Sequence, residues 1–253
     1  MSEPLRLIGG NEGRSTSGPV VALLHFPGSN CDRETALALR AAGAHVVDLD
    51  WRAEELPAAS GVVLPGGFSY GDYLRPGAMA ARAPIMEAVR RFAAAGGAVL
   101  GICNGFQILT EAGLLPGALR RNRGGRFVCR TVHLRLEKSG RLVSLPVAHA
   151  DGSYLVAADQ LDVLRSHGQI LMRYASPTDE LDDCWNPNGS SAAIAAVCNR
   201  AGNVIGMMPH PERAALPWQQ GGDGLYLLRS WLEVTCDAGR AAVTSPSQLL
   251  GRA

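Results

Sequence analysis

The segment that decides the fold reads Ala98-Val99-Leu100-Gly101-Ile102-Cys103-Asn104-Gly105-Phe106-Gln107. The apolar run 98–102 predicts a buried strand, and the residues after Cys103 predict a helix. A G-x-C-x-G pattern between a strand and a helix is the cysteine form of the nucleophile elbow. Such a turn projects its apex side chain clear of the sheet, and the flanking glycines leave room for close backbone packing.

Cys103 is therefore the predicted nucleophile. A helix N-terminus favours a thiolate through its dipole and its free N–H groups. The same groups, beginning with the N–H of Asn104, can hold an oxyanion. The alternative is a buried, inert cysteine. We favour that interpretation for the other five cysteines, which are Cys31, Cys129, Cys184, Cys198 and Cys236.

His210 is the predicted general base. It lies in Met207-Met208-Pro209-His210-Pro211-Glu212-Arg213, where two prolines predict an extended chain. Residues two apart in an extended chain point the same way, which places Glu212 beside His210. A carboxylate there can hold the imidazole in one tautomer and stabilise its charged form. His149 also has an acidic residue two positions on, but it lacks flanking prolines. We predict that His149 contacts a partner or the substrate.

A glycine pair, Gly66 and Gly67, follows a third predicted strand. Ligands of open α/β sheets bind at the carboxyl ends of strands. Glycines at that edge let backbone N–H groups approach a ligand, so this turn is predicted to supply a second oxyanion donor.

Short apolar strands alternate with helical segments in the first half of the chain. Strands are predicted at 20–24, 45–49, 62–64 and 98–102, and helices at 34–42 and 78–95. Predicted hairpins pair 126–137 with 141–147 and 194–198 with 204–208, and a last helix covers 224–234. The predicted fold class is α/β, a mostly parallel open sheet with helices on both faces and antiparallel hairpin additions.

One domain is expected at 19–237, between a loosely held extension (1–18) and a polar tail (238–253). The 253 residues are 47% hydrophobic, enough for a core that needs no disulfide or metal. A net charge of +1 gives no indication of a nucleic-acid or membrane partner. The cysteines lack metal-ligand spacing, so we expect no metal, reduced thiols and a cytoplasmic protein.

The elbow and the Pro-His-Pro-Glu segment resemble the class I, triad-type glutamine amidotransferases. Further segments are similar to the glutaminase subunits of phosphoribosylformylglycinamidine synthases. These are 27–32 (PGSNCD), 65–75 (PGGFSYGDYLR), 113–118 (GLLPGA), 146–149 (PVAH) and 206–213 (GMMPHPER).

That resemblance implies that Cys103 is the nucleophile, His210 the base and Glu212 its orienter. It places Gly67 and the backbone of Asn104 at the oxyanion, and Gln107 beside bound glutamine. Ammonia would go to an ATP-dependent synthetase that converts formylglycinamide ribonucleotide to the amidine in de novo purine synthesis. Candidate contacts to this partner or to the substrate, besides His149, are Ser69, Tyr70, Asp72 and Arg75.

The sequence contains no GxxxxGK[ST] loop for ATP. We therefore expect no cofactor in this chain, with ATP and Mg²⁺ on a large synthetase subunit. The need for a small third subunit stays open. The alternatives are another triad amidotransferase, a cysteine-elbow hydrolase or redox chaperone with the same sheet, and a catalytically idle binding subunit.

Overall fold

The computed structural model describes residues 18–219 and 221–238, with side chains as far as residue 235. The predicted extension and tail therefore lie outside the described residues, apart from Gly18 and Ala238. Eleven strands run in chain order. They are β1 (Val20–His25), β2 (His45–Asp50), β3 (Gly61–Leu64), β4 (Ala98–Ile102), β5 (Ala118–Arg120), β6 (Val128–Leu136), β7 (Leu142–His149), β8 (Ser153–Leu155), β9 (Ile170–Ala175), β10 (Ile194–Cys198) and β11 (Val204–Met207).

Five α-helices connect or follow these strands within the described ranges. They are α1 (Asp32–Ala42), α2 (Ile85–Ala94), α3 (Asn104–Glu111), α4 (Ala158–Ser166) and α5 (Asp223–Ala238). Short 3-10 helices lie at Ser69–Asp72, Ala80–Arg82, Asp183–Trp185, Ser191–Ala193 and Pro211–Ala214.

Nine of the strands form one sheet in the order β2-β1-β3-β4-β11-β10-β9-β6-β7. The first five are parallel to one another, and the remaining contacts are antiparallel. Strands β5 and β8 form a separate antiparallel pair. The predicted α/β class, with a parallel core extended by antiparallel strands, is confirmed.

The parallel core is covered on both faces. Every residue of β3 and β4 is buried, as expected for strands between two helical layers. A side chain at Gly61 would meet Trp231 of α5, whereas one at Gly101 would meet Leu109 of α3. Gly61 pairs with Ala98, so Gly61 and Gly101 face opposite sides of the sheet. Helices α3 and α5 therefore pack on opposite faces.

Two paired glycines let α3 approach the sheet closely. Gly101 of β4 lies opposite Gly206 of β11. A Cβ atom on Gly206 would overlap the ring of Phe106, the third residue of α3. The missing side chains thus make the groove in which the first turn of α3 lies. This fixes the helix directly after Cys103.

The structure corrects the predicted helix at 78–95. A 3-10 helix ends at Arg82, Ala83 is extended, and α2 begins at Ile85 after Pro84. Proline disfavours helical backbone in the residue before it, which explains the break. Strands β5, β8 and β9 and helix α4 were not predicted. Strand β9 inserts between β6 and β10, so the two predicted hairpins are not neighbours.

Among the described residues, no helix has the length and apolar character needed to cross a membrane.

Candidate active site

Cys103 lies at a strained turn between β4 and α3. Its φ of 49° and ψ of −102° are unusual for a residue with a side chain. Its N–H donates to Met207 O at 2.7 Å, and its carbonyl accepts from the N–H of Gln107 at 3.1 Å. Strain of this kind costs about 1–3 kcal/mol and persists only where the surroundings impose it. The predicted elbow is therefore present. The Cys103 side chain is buried, with its Sγ 3.8 Å from Ala148 O.

His210 and Glu212 form a buried pair. The Nδ1 atom of His210 lies 2.6 Å from Glu212 Oε1, and the two residues are 1% and 0% exposed. The contact is as predicted, but its predicted cause was wrong. His210 is extended, whereas Glu212 belongs to the 3-10 helix Pro211–Ala214. Proline is well accepted at the first position of a helix, because the N–H it lacks has no helical partner there.

The charge of His210 is set by competing effects. Burial lowers the pKa of the imidazole, but the Glu212 carboxylate and the nearby sulfurs of Cys103 and Cys31 raise it well above the ordinary value. Its Nε2 atom makes no hydrogen bond to any described residue. Since Nδ1 is engaged by Glu212, Nε2 is the nitrogen left to exchange a proton with a nucleophile or leaving group.

The predicted oxyanion and substrate residues surround the elbow. Asn104 is buried, and its side-chain N–H donates to Gln107 Oε1 at 2.8 Å. Gln107 in turn donates to Asp151 O at 2.7 Å. Gly67 has a φ of +152°, and a Cβ there would lie 2.7 Å from Gly28 O. At Gly66, a Cβ would lie 2.9 Å from His210 Cε1. Both positions therefore need glycine.

The loop of residues 68–75 lies against the elbow. The N–H of Ser69 donates to Asn104 Oδ1 at 3.1 Å. Tyr70 packs edge-on against Trp51, with ring centroids 5.9 Å apart. Burial, and secondarily Asp151, raises the pKa of Asp72 to about 6. Three of the loop's side chains are exposed and apolar, namely Phe68, Tyr73 and Leu74.

Arg75 anchors the end of this loop. Its guanidinium makes a two-point ion pair with Glu111, the last residue of α3, at 2.5 and 2.6 Å. The loop has unusual backbone geometry, with positive φ at Tyr70, Gly71, Asp72 and Leu74. Contacts at Ser69 and Arg75 thus tie both ends of a strained loop to α3.

His149 also lies at this edge of the sheet. It ends β7, which runs in the same direction as β4 and β11. Its Nδ1 lies 3.1 Å from Asn122 Oδ1, and its buried Nε2 has no partner among the described residues. Burial, and secondarily His210, lowers its pKa to about 4. His149 is thus neutral at physiological pH and close enough to His210 to sense its charge.

Cys31 is a site residue that the sequence pattern does not reveal. The pattern groups it with the inert cysteines, yet its sulfur lies beside His210. A Cβ on Gly66 would touch both His210 Cε1, at 2.9 Å, and Cys31 Sγ, at 3.1 Å. The available signal was positional, because the PGSNCD segment follows β1 at the same edge as Gly66, Cys103 and His210.

The ligand atoms of Cys31, His210 and Glu212 all lie within 4.8 Å of one another. Such a group could in principle hold a metal ion. However, Glu212 is committed to His210, and Arg213 donates to Cys31 Sγ at 3.1 Å. A guanidinium against the sulfur opposes a second cation there. The chemistry of this group fits an acid–base pair better than a metal centre.

Comparison with known proteins agrees with this geometry. Residues 18–223 match the family model described as the CobB/CobQ-like glutamine amidotransferase domain. The chain belongs to this family. The amidotransferase is 49% identical over 220 residues to phosphoribosylformylglycinamidine synthase subunit PurQ of Gloeobacter violaceus, covering 83% of this chain and 95% of that one. Its identity to the same subunit of Rhodopseudomonas palustris is 52% over 203 residues, covering 76% and 87%.

Solved structures give the same placement. The amidotransferase matches a chain in the structure of PurLQS from Thermotoga maritima with a TM-score of 0.73 and 39% identity, covering 82% of this chain and 94% of that one. A glutamine amidotransferase from Thermotoga maritima gives a TM-score of 0.50 at 16% identity, covering 92% and 88%. The second match shows the shared fold alone.

Proposed function

We propose that this amidotransferase is the glutaminase subunit of phosphoribosylformylglycinamidine synthase. It hydrolyses glutamine and delivers ammonia to a synthetase that converts formylglycinamide ribonucleotide to formylglycinamidine ribonucleotide in purine synthesis. The observation that carries the proposal is the buried His210–Glu212 pair beside an elbow cysteine, in a chain about half identical to PurQ subunits.

The site residues have distinct chemical tasks in this reaction. The Cys103 thiolate attacks the side-chain amide carbon of glutamine and forms a tetrahedral oxyanion. Backbone N–H groups of Gly67 and Asn104 stabilise that oxyanion. His210 Nε2 donates a proton to the departing ammonia, and Glu212 stabilises the imidazolium. Water then attacks the γ-glutamyl thioester, with the same imidazole as base, and releases glutamate.

The synthetase acts from another chain. ATP and Mg²⁺ bind that large subunit, and a small third subunit joins the complex, as the PurLQS assembly of a 39% identical relative suggests. Ammonia is lost as a nucleophile when it is protonated in water, so the synthetase covers the site. The 68–75 loop suits this contact, because Tyr73 and Leu74 are 74% and 90% exposed at its tip. The complex works in the cytoplasm, where Cys103 stays reduced.

The test is a comparison of glutamine hydrolysis by this chain with and without the synthetase, its nucleotide substrate and ATP. We expect slow hydrolysis alone and a marked increase in the complex. Leu74→Asp should abolish the increase while leaving the rate of the isolated chain unchanged. Val163→Asp, an exposed apolar position on α4, is the matched control. A synthetase that leaves the wild-type rate unaltered would contradict the coupling.

Hydrolysis itself is tested by covalent capture. A glutamine analogue with an electrophile in place of the side-chain amide should inactivate the chain and label Cys103, as identified by mass spectrometry. Glutamine should protect against the label. Labelling that ignores glutamine, or that falls on an exposed thiol such as Cys129 or Cys184, would reject the glutaminase assignment.

A further inference from the structure

A second buried sulfur accompanies the His210–Glu212 pair. Cys31 is 2% exposed and directly precedes α1. Its N–H donates to Gly66 O at 3.3 Å, which attaches it to the glycine turn after β3. A ring nitrogen of His210 lies within 4.8 Å of the Cys31 sulfur, and the Cε1 edge of the ring faces the same space beside Gly66. The imidazole therefore has Glu212 at Nδ1 and Cys31 along its edge.

Arg213 holds this sulfur in place. Its Nη2 donates to Cys31 Sγ at 3.1 Å, and its Nε donates to Glu34 Oε2 at 3.2 Å. Arg213 directly follows Glu212 on the same 3-10 helix, whereas Cys31 and Glu34 belong to the start of α1. The guanidinium thus fastens the element that carries Glu212 to the element that carries Cys31.

The electrostatics of Arg213 agree with that arrangement. Burial lowers the pKa of its guanidinium, but the Cys31 sulfur and the carboxylates of Glu212 and Glu34 raise it overall. The cation is therefore stabilised by groups from both elements. Buried guanidinium contacts of this kind are directional, because the planar fork fixes the positions of its partners.

We propose that Cys31 is a positioning residue for the glutaminase reaction, whose sulfur, fixed by Arg213, holds the His210 imidazole in line between Glu212 and Cys103. The inference rests on the proposed function, since it concerns the same base. Cys31 does not attack the substrate. Its effect is on the orientation of the ring, and misplacing a catalytic group by about 1 Å can cost on the order of 100-fold in rate.

Two substitutions at one position separate polarity from volume. Cys31→Ala and Cys31→Ser remove similar volume, but only serine keeps an acceptor for Arg213. We expect Cys31→Ala to lower kcat about 10-fold to 100-fold with KM little changed. Cys31→Ser should recover most of that loss. Cys198→Ala is the matched control, because Cys198 is also fully buried but lies on β10. It should change stability without changing kcat.

A second measurement needs no glutamine. The rate at which iodoacetamide alkylates Cys103, followed by mass spectrometry across pH, reports the thiolate and the neighbouring imidazolium. The ionisable groups near His210 in the described structure are Glu212, Cys103, Cys31 and His149, with Arg213 bound to Cys31. Cys31→Ala should displace the pH profile of Cys103 alkylation, and Cys31→Ser and Cys198→Ala should leave it near that of the wild type.

Each outcome decides one question. If Ala and Ser at position 31 behave alike, or if both leave kcat and the alkylation profile unchanged, the positioning role is rejected. If both variants lose activity as completely as Cys103→Ala, Cys31 is itself a reacting group and the inference also fails. A wild-type chain that hydrolyses no glutamine under any condition rejects the proposed function instead, while the alkylation profiles still test Cys31.

Discussion

The backbone N–H of Ser69 donates to the side chain of Asn104, the residue that follows Cys103. This bond joins the 68–75 loop to the first turn of α3. The Asn104 side chain also donates to Gln107, so it connects the loop, the elbow and the next turn of the helix. A partner that moves the loop would thereby alter the backbone on which Cys103 is mounted.

Asn104→Ala should uncouple the synthetase from hydrolysis. It leaves the buried N–H of Ser69 and the Gln107 amide without their partner, so we expect a stability loss of about 1–3 kcal/mol. Stimulation by the synthetase should fall further than the rate of the isolated chain. Asn203→Ala is the control, because Asn203 is also buried but bonds Ala93 O and Gly97 O, before β11 begins. Equal stimulation in the two variants would refute the coupling.

Cys103→Ala should retain less than about a thousandth of the wild-type hydrolysis rate, as expected for loss of a triad nucleophile. Glutamine binding, measured by calorimetry, should persist because the oxyanion donors are backbone groups. Cys198→Ala should hydrolyse glutamine at the wild-type rate. Substantial turnover by Cys103→Ala would assign the chemistry to another residue.

Glu212→Gln should lower kcat about 1,000-fold to 10,000-fold, because the amide no longer favours the charged imidazole. The Glu212 carboxylate is the largest influence that raises the pKa of His210, so that pKa should fall in the variant. NMR titration of the imidazole measures the shift. A variant with normal kcat, or with an unmoved His210 titration, would show that Glu212 is not the orienting acid.

Asp72→Asn should stabilise the protein at neutral pH. The folded pKa of Asp72 is raised to about 6 from an ordinary value of 3.8, so the folded state binds the proton more tightly. The destabilisation by the charged form is complete above pH 6 and disappears as pH falls towards 3.8. The increase in Tm over wild type should therefore be largest at about pH 7–8 and should shrink at about pH 4. An increase that is independent of pH would indicate another cause.

Gly105→Ala should destabilise the fold, even though alanine favours helices. Its Cβ would overlap Leu64 O, a backbone atom of a buried strand. We expect a loss of about 3 kcal/mol in the free energy of unfolding, measured by urea denaturation. Gly124→Ala is the control, since a Cβ there meets nothing within 4 Å. Its effect should stay within about 0.5 kcal/mol.

The sequence predicted those parts of the molecule that local pattern determines. The buried strands before Gly66, Cys103 and His210 were recognisable from short apolar runs that end in glycine or proline. Because parallel strands share a carboxyl edge, their turns had to meet, and this placed the candidate triad. The helix at 78–95 was wrong for an equally local reason, since Pro84 interrupts it.

What could not be predicted depends on contacts between distant segments. Strand β9 has an apolar run like many buried segments, and only pairing with β6 and β10 on either side defines its place. The contact between Cys31 and Arg213 joins residues 182 positions apart. Glu212 reaches His210 through a 3-10 turn rather than an extended chain, so the right neighbour was found by incorrect geometry. The assignment of catalytic roles stays a prediction until the variants are measured.

The pairing of β4 with β11 has a consequence for how this chain tolerates change. Ile102 lies opposite Met207, and the next residue on the β4 side, Cys103, hydrogen-bonds back to Met207. Nucleophile and base are thus spaced by a ladder whose steps are about 3.3 Å. One residue inserted into either strand would shift the thiol by a whole step and turn the following side chains to the opposite face. The same insertion in the surface turn at 138–140 would leave that spacing intact, so length variation in this enzyme should accumulate away from two short strands.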